Sequence, residues 1–308
     1  MSRGQRLLVA TAAAVVVGAG VGVVAAAWLG SSGGSAVATN SLRPSPNTTI
    51  PPPPPNGALV LAQEVGTRAV ALAIGPGRRL TATVLSGSGG GDSDLSVSFR
   101  VNGAEFRARA CGPGCYRALS PRSSVRHVEV QVPGGSASFR IPTAPPAAAG
   151  IVRRAGRVFR TLHTLVYVES LRSKPTNGIV TTWRFVAPNR MAYNIHGGAS
   201  AVVIGERRWD RIRRGGPWTR TSQIPPLTVP QPSWNNNVVD ARLLGGSRVD
   251  GRPVWIVSFA NPSLPAWFTA WIDRASYRTL RLRMTAAGHF MFHRYLRFNG
   301  PVKIVPPR

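Results

Sequence analysis

Seven short runs of alternating apolar and polar residues constrain this chain more than any other feature. They cover 179–186, 190–195, 200–205, 248–259, 266–273, 277–286 and 289–298. Side chains on a strand point alternately to its two faces, so this period of two predicts antiparallel strands. Asp250-Gly251 between two of the apolar stretches is a hairpin signal. Ahead of the runs, residues 147–165 place Ile151, Ala155, Val158 and Leu162 at steps of four, three and four, with Val152 and Phe159 beside them. Arg153, Arg154, Arg157 and Arg160 occupy the opposite side. That spacing predicts an amphipathic helix laid on the sheet by one face. The expected architecture of 147–308 is an antiparallel meander with a packed helix.

A first unit is expected over 58–142. Short alternating runs recur at 69–74, 79–86, 94–101, 105–110, 124–132 and 136–141, with turns at Gly75-Pro76-Gly77, Gly87–Gly91, Asn102-Gly103 and Pro133-Gly134-Gly135. About seven short strands at such spacing predict a small immunoglobulin-like β-sandwich. The Pro/Ala segment 141–150 marks the boundary with the second unit. Gly87–Gly91 lacks a following helix and a lysine, so it reads as a hairpin loop and not as a phosphate cradle.

Leu7–Gly30 is free of charge for 24 residues and follows Arg3 and Arg6. At ~1.5 Å per helical residue it is long enough to cross a ~30 Å hydrocarbon core. The flanking arginines then place residues 1–30 as a cytoplasmic tip and transmembrane anchor, with the rest of the chain extracytoplasmic. A cleaved signal peptide, with Ala36-Val37-Ala38 as its small-x-small site, is the competing reading. Residues 31–57, Ser/Gly-rich and then ending in five consecutive prolines and Asn56-Gly57, read as an extended stalk.

Charge narrows the partners. Of 38 basic residues only Lys174 and Lys303 are lysines, against 11 acids, and residues 150–308 hold 25 of the basic groups and 6 of the acids. Such a field favours anionic partners, among them phospholipid headgroups or another anionic amphiphile, cell-wall polyanions and nucleic acid. The arginines are scattered along strands and form no nucleic-acid-binding motif, so no nucleic-acid partner is expected. A general arginine excess from a GC-rich genome is the plain alternative.

Three sets of residues are candidates for chemistry. Trp183, Phe185, Trp255, Trp267 and Trp271 lie on the alternating runs and either fill a core or line an apolar groove between sheet and helix. Phe268, Phe290 and Phe292 add to this apolar surplus, and the proline-rich stretch 217–237, with Ile224, Leu227 and Val229, reads as a lid or a plug. His289, Met291 and His293 share one face of the last run, and imidazole and thioether are ligands for copper, particularly Cu(I). Cys111 and Cys115, the only cysteines, flank Gly112-Pro113-Gly114; they form a disulfide or offer two thiolates to a metal. No HExxH, GxSxG or helix-opening GxGxxG occurs and no paired carboxylates stand out, so the expectation is a protein without enzymatic activity.

The order of helix, WRFVAPNRMAYNI, VVIGERRWDR, VDGRPVWIVSF and WFTAWIDRASYRTLRLRM resembles the LolA/LppX-like lipoprotein-carrier superfamily over about 150–300. That resemblance implies a LolA-like half-barrel whose sheet wraps an apolar cavity closed by helices. Over 58–308, LVLAQEVGTRAVALAI, ACGPGCYRA, RPVWIVSF, PAWFTAWID and MTAAGHFMFHRY are similar to the extracytoplasmic tail of actinobacterial CopC/CopD-type copper-resistance proteins. This chain has one anchor where those have many spans, so copper translocation is not implied. The expected function is a single-pass, cell-membrane binding protein for an apolar or lipid-like ligand, without a resident cofactor. The alternatives are a copper-homeostasis accessory binding through His289, Met291 and His293, and a structural interaction module.

Overall fold

The computed structural model describes residues 50–121 and 124–308, together with two short paired strands, β1 (Ala13–Val16) and β2 (Val23–Ala26). Within Leu7–Gly30 these two extended segments are all that is described. The remainder of the expected helical anchor, and Ala36–Ala38, lie outside the described residues. Among the described residues no helix is long and apolar enough to cross a membrane.

The first unit is a sandwich of two antiparallel sheets. One contains β3 (Leu59–Val65), β4 (Arg68–Ile74), β5 (Arg79–Leu85), β9 (Cys115–Leu119) and β8 (Arg109–Gly112), in that order. The other runs β11 (Gly135–Arg140), β10 (His127–Val132), β6 (Ser98–Val101), β7 (Ala104–Arg107). Their inward residues, among them Val70, Leu72, Leu80, Val84, Phe99, Tyr116, Val128 and Val130, form one buried core. Asn102-Gly103 makes the expected hairpin turn, with both residues in the left-handed region that such turns demand. Cys111 and Cys115 are joined as a disulfide, their Cα atoms 5.0 Å apart.

The second unit is an eleven-stranded antiparallel sheet over α1 (Ala149–Arg160). In chain order its strands are β12 (Thr164–Lys174), β13 (Asn177–Val186), β14 (Arg190–Ile195), β15 (Ser200–Ile204), β16 (Arg207–Arg211), β17 (Thr219–Ser222), β18 (Val239–Val249), β19 (Arg252–Asn261), β20 (Ala266–Asp273), β21 (Thr279–Ala286) and β22 (His289–Phe298). Spatially they run β17-β16-β15-β14-β13-β12-β22-β21-β20-β19-β18, so β22 closes back beside β12 and joins two meanders. Val203 on β15 and Phe259 on β19 belong to one core although seven strand spacings separate them. A flat sheet would hold them ~34 Å apart at ~4.8 Å per spacing, so the sheet curls into a trough. α1 lies in it with Val152, Ala155, Gly156 and Phe159 buried, while Arg153, Arg154, Arg157 and Arg160 face solvent. The helix is shorter than the 147–165 of the sequence reading, because Leu162 and Leu165 already belong to the turn into β12 and to β12 itself.

The two units share a third core. Ala58, Val60, Ala69, Ala71, Ala73 and Leu85 of the sandwich pack on Ala260, Trp267 and Phe290 from the outer face of the trough. Arg172 pairs with Glu64 at 2.8 Å across the same boundary, and the Gly57 amide donates to Asp240 Oδ1 at 2.6 Å. The end of the expected stalk is docked rather than free. Pro51 is buried, and Ile50 and Pro51–Pro54 line a cavity of about 290 Å³ with Thr83, Ala260, Asn261 and Trp267.

Candidate functional site: the aromatic trough and its plug

The inner face of the trough is built by alternation. Leu165, Tyr167, Glu169 and Leu171 on β12 point inward, as do Trp183 and Phe185 on β13, Met191 and Tyr193 on β14, and His293 and Tyr295 on β22. Tyr167 stacks on Trp183 and Phe185 with ring centroids 6.0 and 5.8 Å away, and Trp183 lies 4.9 Å from Tyr193. On the far wall Phe259 stacks on Phe268 at 5.1 Å, with Trp255 beside Tyr277 at 5.1 Å.

Two elements cover this floor. α1 lowers Phe159, edge-on to Tyr295 at 5.9 Å and to Trp234 at 6.1 Å. The second cover is the stretch 223–238 between β17 and β18, whose only regular element is the short turn Ser233–Asn235. It buries Leu227, Val229 and Trp234 in the same core, while Ile224 stays 78% exposed. Besides this apolar contact, the Leu227 amide donates to the Gly205 carbonyl at 3.0 Å and the Val229 amide to Pro188 at 2.8 Å. The expected lid is therefore a plug. Gly156 permits its approach to the helix: a Cβ there would fall 1.5 Å from Asn235 Nδ2.

A buried polar pair interrupts the apolar floor beside Tyr167 and Tyr295. His293 donates or accepts through Nε2 to Glu169 Oε2 at 2.8 Å and contacts Tyr295 Oη through Nδ1 at 3.2 Å, with the Tyr167 ring 4.9 Å away. Glu169 and His293 are both buried. Burial pushes the Tyr295 phenol well above its usual range, opposed by the Trp234 indole and reinforced by Glu169. Burial, then Glu169 and Tyr295, do the same to Tyr167. Both tyrosines are thus neutral at ordinary pH.

The structure redistributes the sequence candidates. Trp183, Phe185 and Trp255 lie on the trough's inner face, but Trp267 and Trp271 do not. On β20 the inward residues are Ala266, Phe268, Ala270 and Ile272, so the two tryptophans between them must point outward. Trp267 packs under the sandwich, and Trp271 meets Phe292 edge-on at 6.3 Å. The five aromatics therefore do not line one groove.

His289, Met291 and His293 do share a face, as their spacing implies, without converging on a vacant position. His289 Nδ1 lies 3.1 Å from the Ala287 carbonyl, Met291 packs on Leu171, and both nitrogens of His293 are engaged. The disulfide likewise removes Cys111 and Cys115 as thiolate ligands. Among the described residues no group of three or more His, Cys, Asp or Glu is placed to hold a metal. Glu169 and its two tyrosine neighbours escaped the sequence reading. Their one signal is an acid on the apolar stripe Leu165, Tyr167, Leu171.

No protein-family model and no curated sequence matches the chain. Solved structures do align with about half of it. LprF from Mycobacterium bovis matches 53% of this chain and 99% of its own at 13% identity, with a TM-score of 0.41. The lipoprotein LppX of Mycobacterium tuberculosis matches 51% and 97% at 13% identity and 0.39. A LolA superfamily protein from Nitrosomonas europaea matches 52% and 96% at 11% identity and 0.25. Likenesses of this size fix neither a ligand nor an activity for this chain.

Proposed function

We propose that this chain is a non-enzymatic extracytoplasmic binding protein, held at the cell membrane through Leu7–Gly30, whose LolA-like trough takes an apolar or lipid-like ligand. The carrying observation is the plug. Leu227, Val229 and Trp234, on a stretch with little regular structure, occupy the concave face over the Tyr167, Trp183 and Phe185 stack. An apolar ligand of similar volume replaces those contacts one for one, and the exposed arginines of α1 suit an anionic headgroup at the rim. The immunoglobulin-like reading of the first unit rests on strand order. With β3 set aside as an added edge, β4-β5-β9-β8 faces β7-β6-β10-β11, the order of an ABED sheet opposite a C′CFG sheet.

The test is uptake of an environment-sensitive fatty-acid probe by the full chain, with native mass spectrometry of the purified protein for co-purified lipid. Replacing Leu227 and Val229 by Ser weakens the plug and should raise probe affinity. A chain that carries no lipid and gains no probe binding in that variant would show the trough to be a permanently filled core. Protease added to intact spheroplasts should digest the folded units, and full protection would remove the extracytoplasmic placement.

A further inference from the structure

Antiparallel pairing puts alternate turns of the large sheet at the same end. From the register, that end carries the β12–β13 turn with Lys174, the β14–β15 turn with His196, and the long β16–β17 turn. The β19–β20 and β21–β22 turns are there too, and Ile50 and Pro51–Pro54 lie against the first of these. The stalk therefore enters the folded part at this end.

The β16–β17 turn has an unusual composition. Residues 211–220 read RIRRGGPWTR, and no acid occurs from 211 to 239. Arg213, Arg214 and Arg220 are exposed, and Ile212 is 56% exposed at the tip. Arg211 lies 4.7 Å over the ring of Trp218, so a flat cation–aromatic pair flanks the exposed isoleucine. The nearest acid, Asp210, is held by Arg208 at 2.7 Å and neutralises none of the tip. β17 is an edge strand of the sheet and all four of its residues are exposed, so among the described residues nothing covers this edge.

Arginines that reach phosphates, an indole suited to the interface and one inserted aliphatic side chain are complementary to an anionic lipid surface. We propose that the β16–β17 hairpin tip, Arg211–Arg220, docks on anionic phospholipid headgroups, with Ile212 and Trp218 entering the interface. Only 19 residues, 31–49, separate the expected anchor from Ile50, and the stalk enters on the tip's end of the sheet. The tether and the hairpin thus address the same surface. β17 runs from the tip to Ser222 beside Arg207, where the Gln223 amide donates to the Glu206 carbonyl in the β15–β16 turn, so the plug begins at the other end of the sheet from the docking surface. The docking surface is separate from the trough and stands whether or not the trough takes a ligand.

The two native cysteines are paired, so Thr219→Cys in the full chain gives a single labelling site at the tip. The protein, carrying an environment-sensitive fluorophore there, is reconstituted into vesicles of phosphatidylcholine alone or with three-tenths phosphatidylglycerol. A label on this hairpin reports docking independently of how the N-terminus is held. Blue-shifted emission and quenching by lipid-borne quencher are expected only with phosphatidylglycerol. At ~1 kcal/mol for each basic residue near an anionic surface, Arg213→Ser with Arg214→Ser should weaken this contact about tenfold or more. Identical spectra in the two vesicles, or a shift that survives those changes together with Ile212→Ser, would overturn the proposal. So would an equal response to soluble heparin with none to vesicles, which would make the tip a polyanion site. Probe uptake by the trough, measured on the same samples, separates failure of docking from failure of ligand binding.

Discussion

Glu169 and His293 face each other in the sheet register on adjacent strands, β12 and β22, and meet inside an apolar trough. Removing two such groups from water costs several kcal/mol for each charged partner, so the pair does not explain the fold's stability. Its effect is selective. Losing Glu169 leaves the buried Nε2 of His293 unpaired, and losing His293 does the same to Glu169 Oε2, which carries a large penalty, whereas apolar residues of similar volume at both positions are tolerated. Glu169→Ala should therefore destabilise the protein by roughly 3–5 kcal/mol, while Glu169→Leu combined with His293→Phe should recover most of that loss. Urea unfolding followed by tryptophan fluorescence measures both. A double variant as unstable as the single one would mean that the pair's surroundings are not the apolar cage described. The same pair shows what a sequence conceals at this scale. His293 is visible as one of three alternating side chains, but its partner sits 124 residues earlier and only the register joins them.

At the level of elements, the sequence is most legible in the bounds of strands whose apolar runs end at turn signals. Residues 190–195, 266–273 and 289–298 are strands with the bounds that alternation predicts, and Asp250-Gly251 turns β18 into β19. β12 is missing from the alternating runs because Glu169 lies on its inward stripe while Val166 and Val168 lie on the other, which erases the contrast between faces. β18 is missing because Gly245-Gly246 and two register shifts break its pattern. On β20 both faces are apolar because both are covered, so parity alone does not say which tryptophans look inward. Gly156 was similarly silent, although it decides how closely the plug meets α1. Gly156→Ala improves the helix's intrinsic propensity by up to ~1 kcal/mol but drives a Cβ into the Asn235 amide. The expected outcome is faster proteolytic cleavage within 223–238 together with tighter fatty-acid probe binding. Unchanged cleavage would show that Asn235 simply rotates away and that the plug does not depend on this contact.

For the molecule as a whole, the surplus of aromatics that suggests a ligand has two structural destinations. Trp183 and Phe185 turn inward under the plug, whereas Trp267 and Phe290 turn outward and are covered by the sandwich. The second destination makes the two units one body, joined by an apolar contact, the Arg172–Glu64 pair and the bonds of Gly57 to Asp240 and Arg242. Inter-domain surfaces within one chain are commonly polar and mobile, and a large aromatic buried in one argues for joint unfolding instead. Ala71 is buried on the sandwich side of this contact and Trp267 on the trough side. Ala71→Glu places an unpaired charge there, and Trp267→Ala removes the side chain that fills it, a loss of about 3–5 kcal/mol for a buried Trp. Either change should split one calorimetric transition into two and speed cleavage in the connecting segment 141–148. Agreement between substitutions made from opposite sides separates loss of the contact from damage to either unit alone. A single transition that persists in both variants, merely shifted, would mean that the units are coupled through the connecting segment and the Gly57 bonds rather than through Trp267.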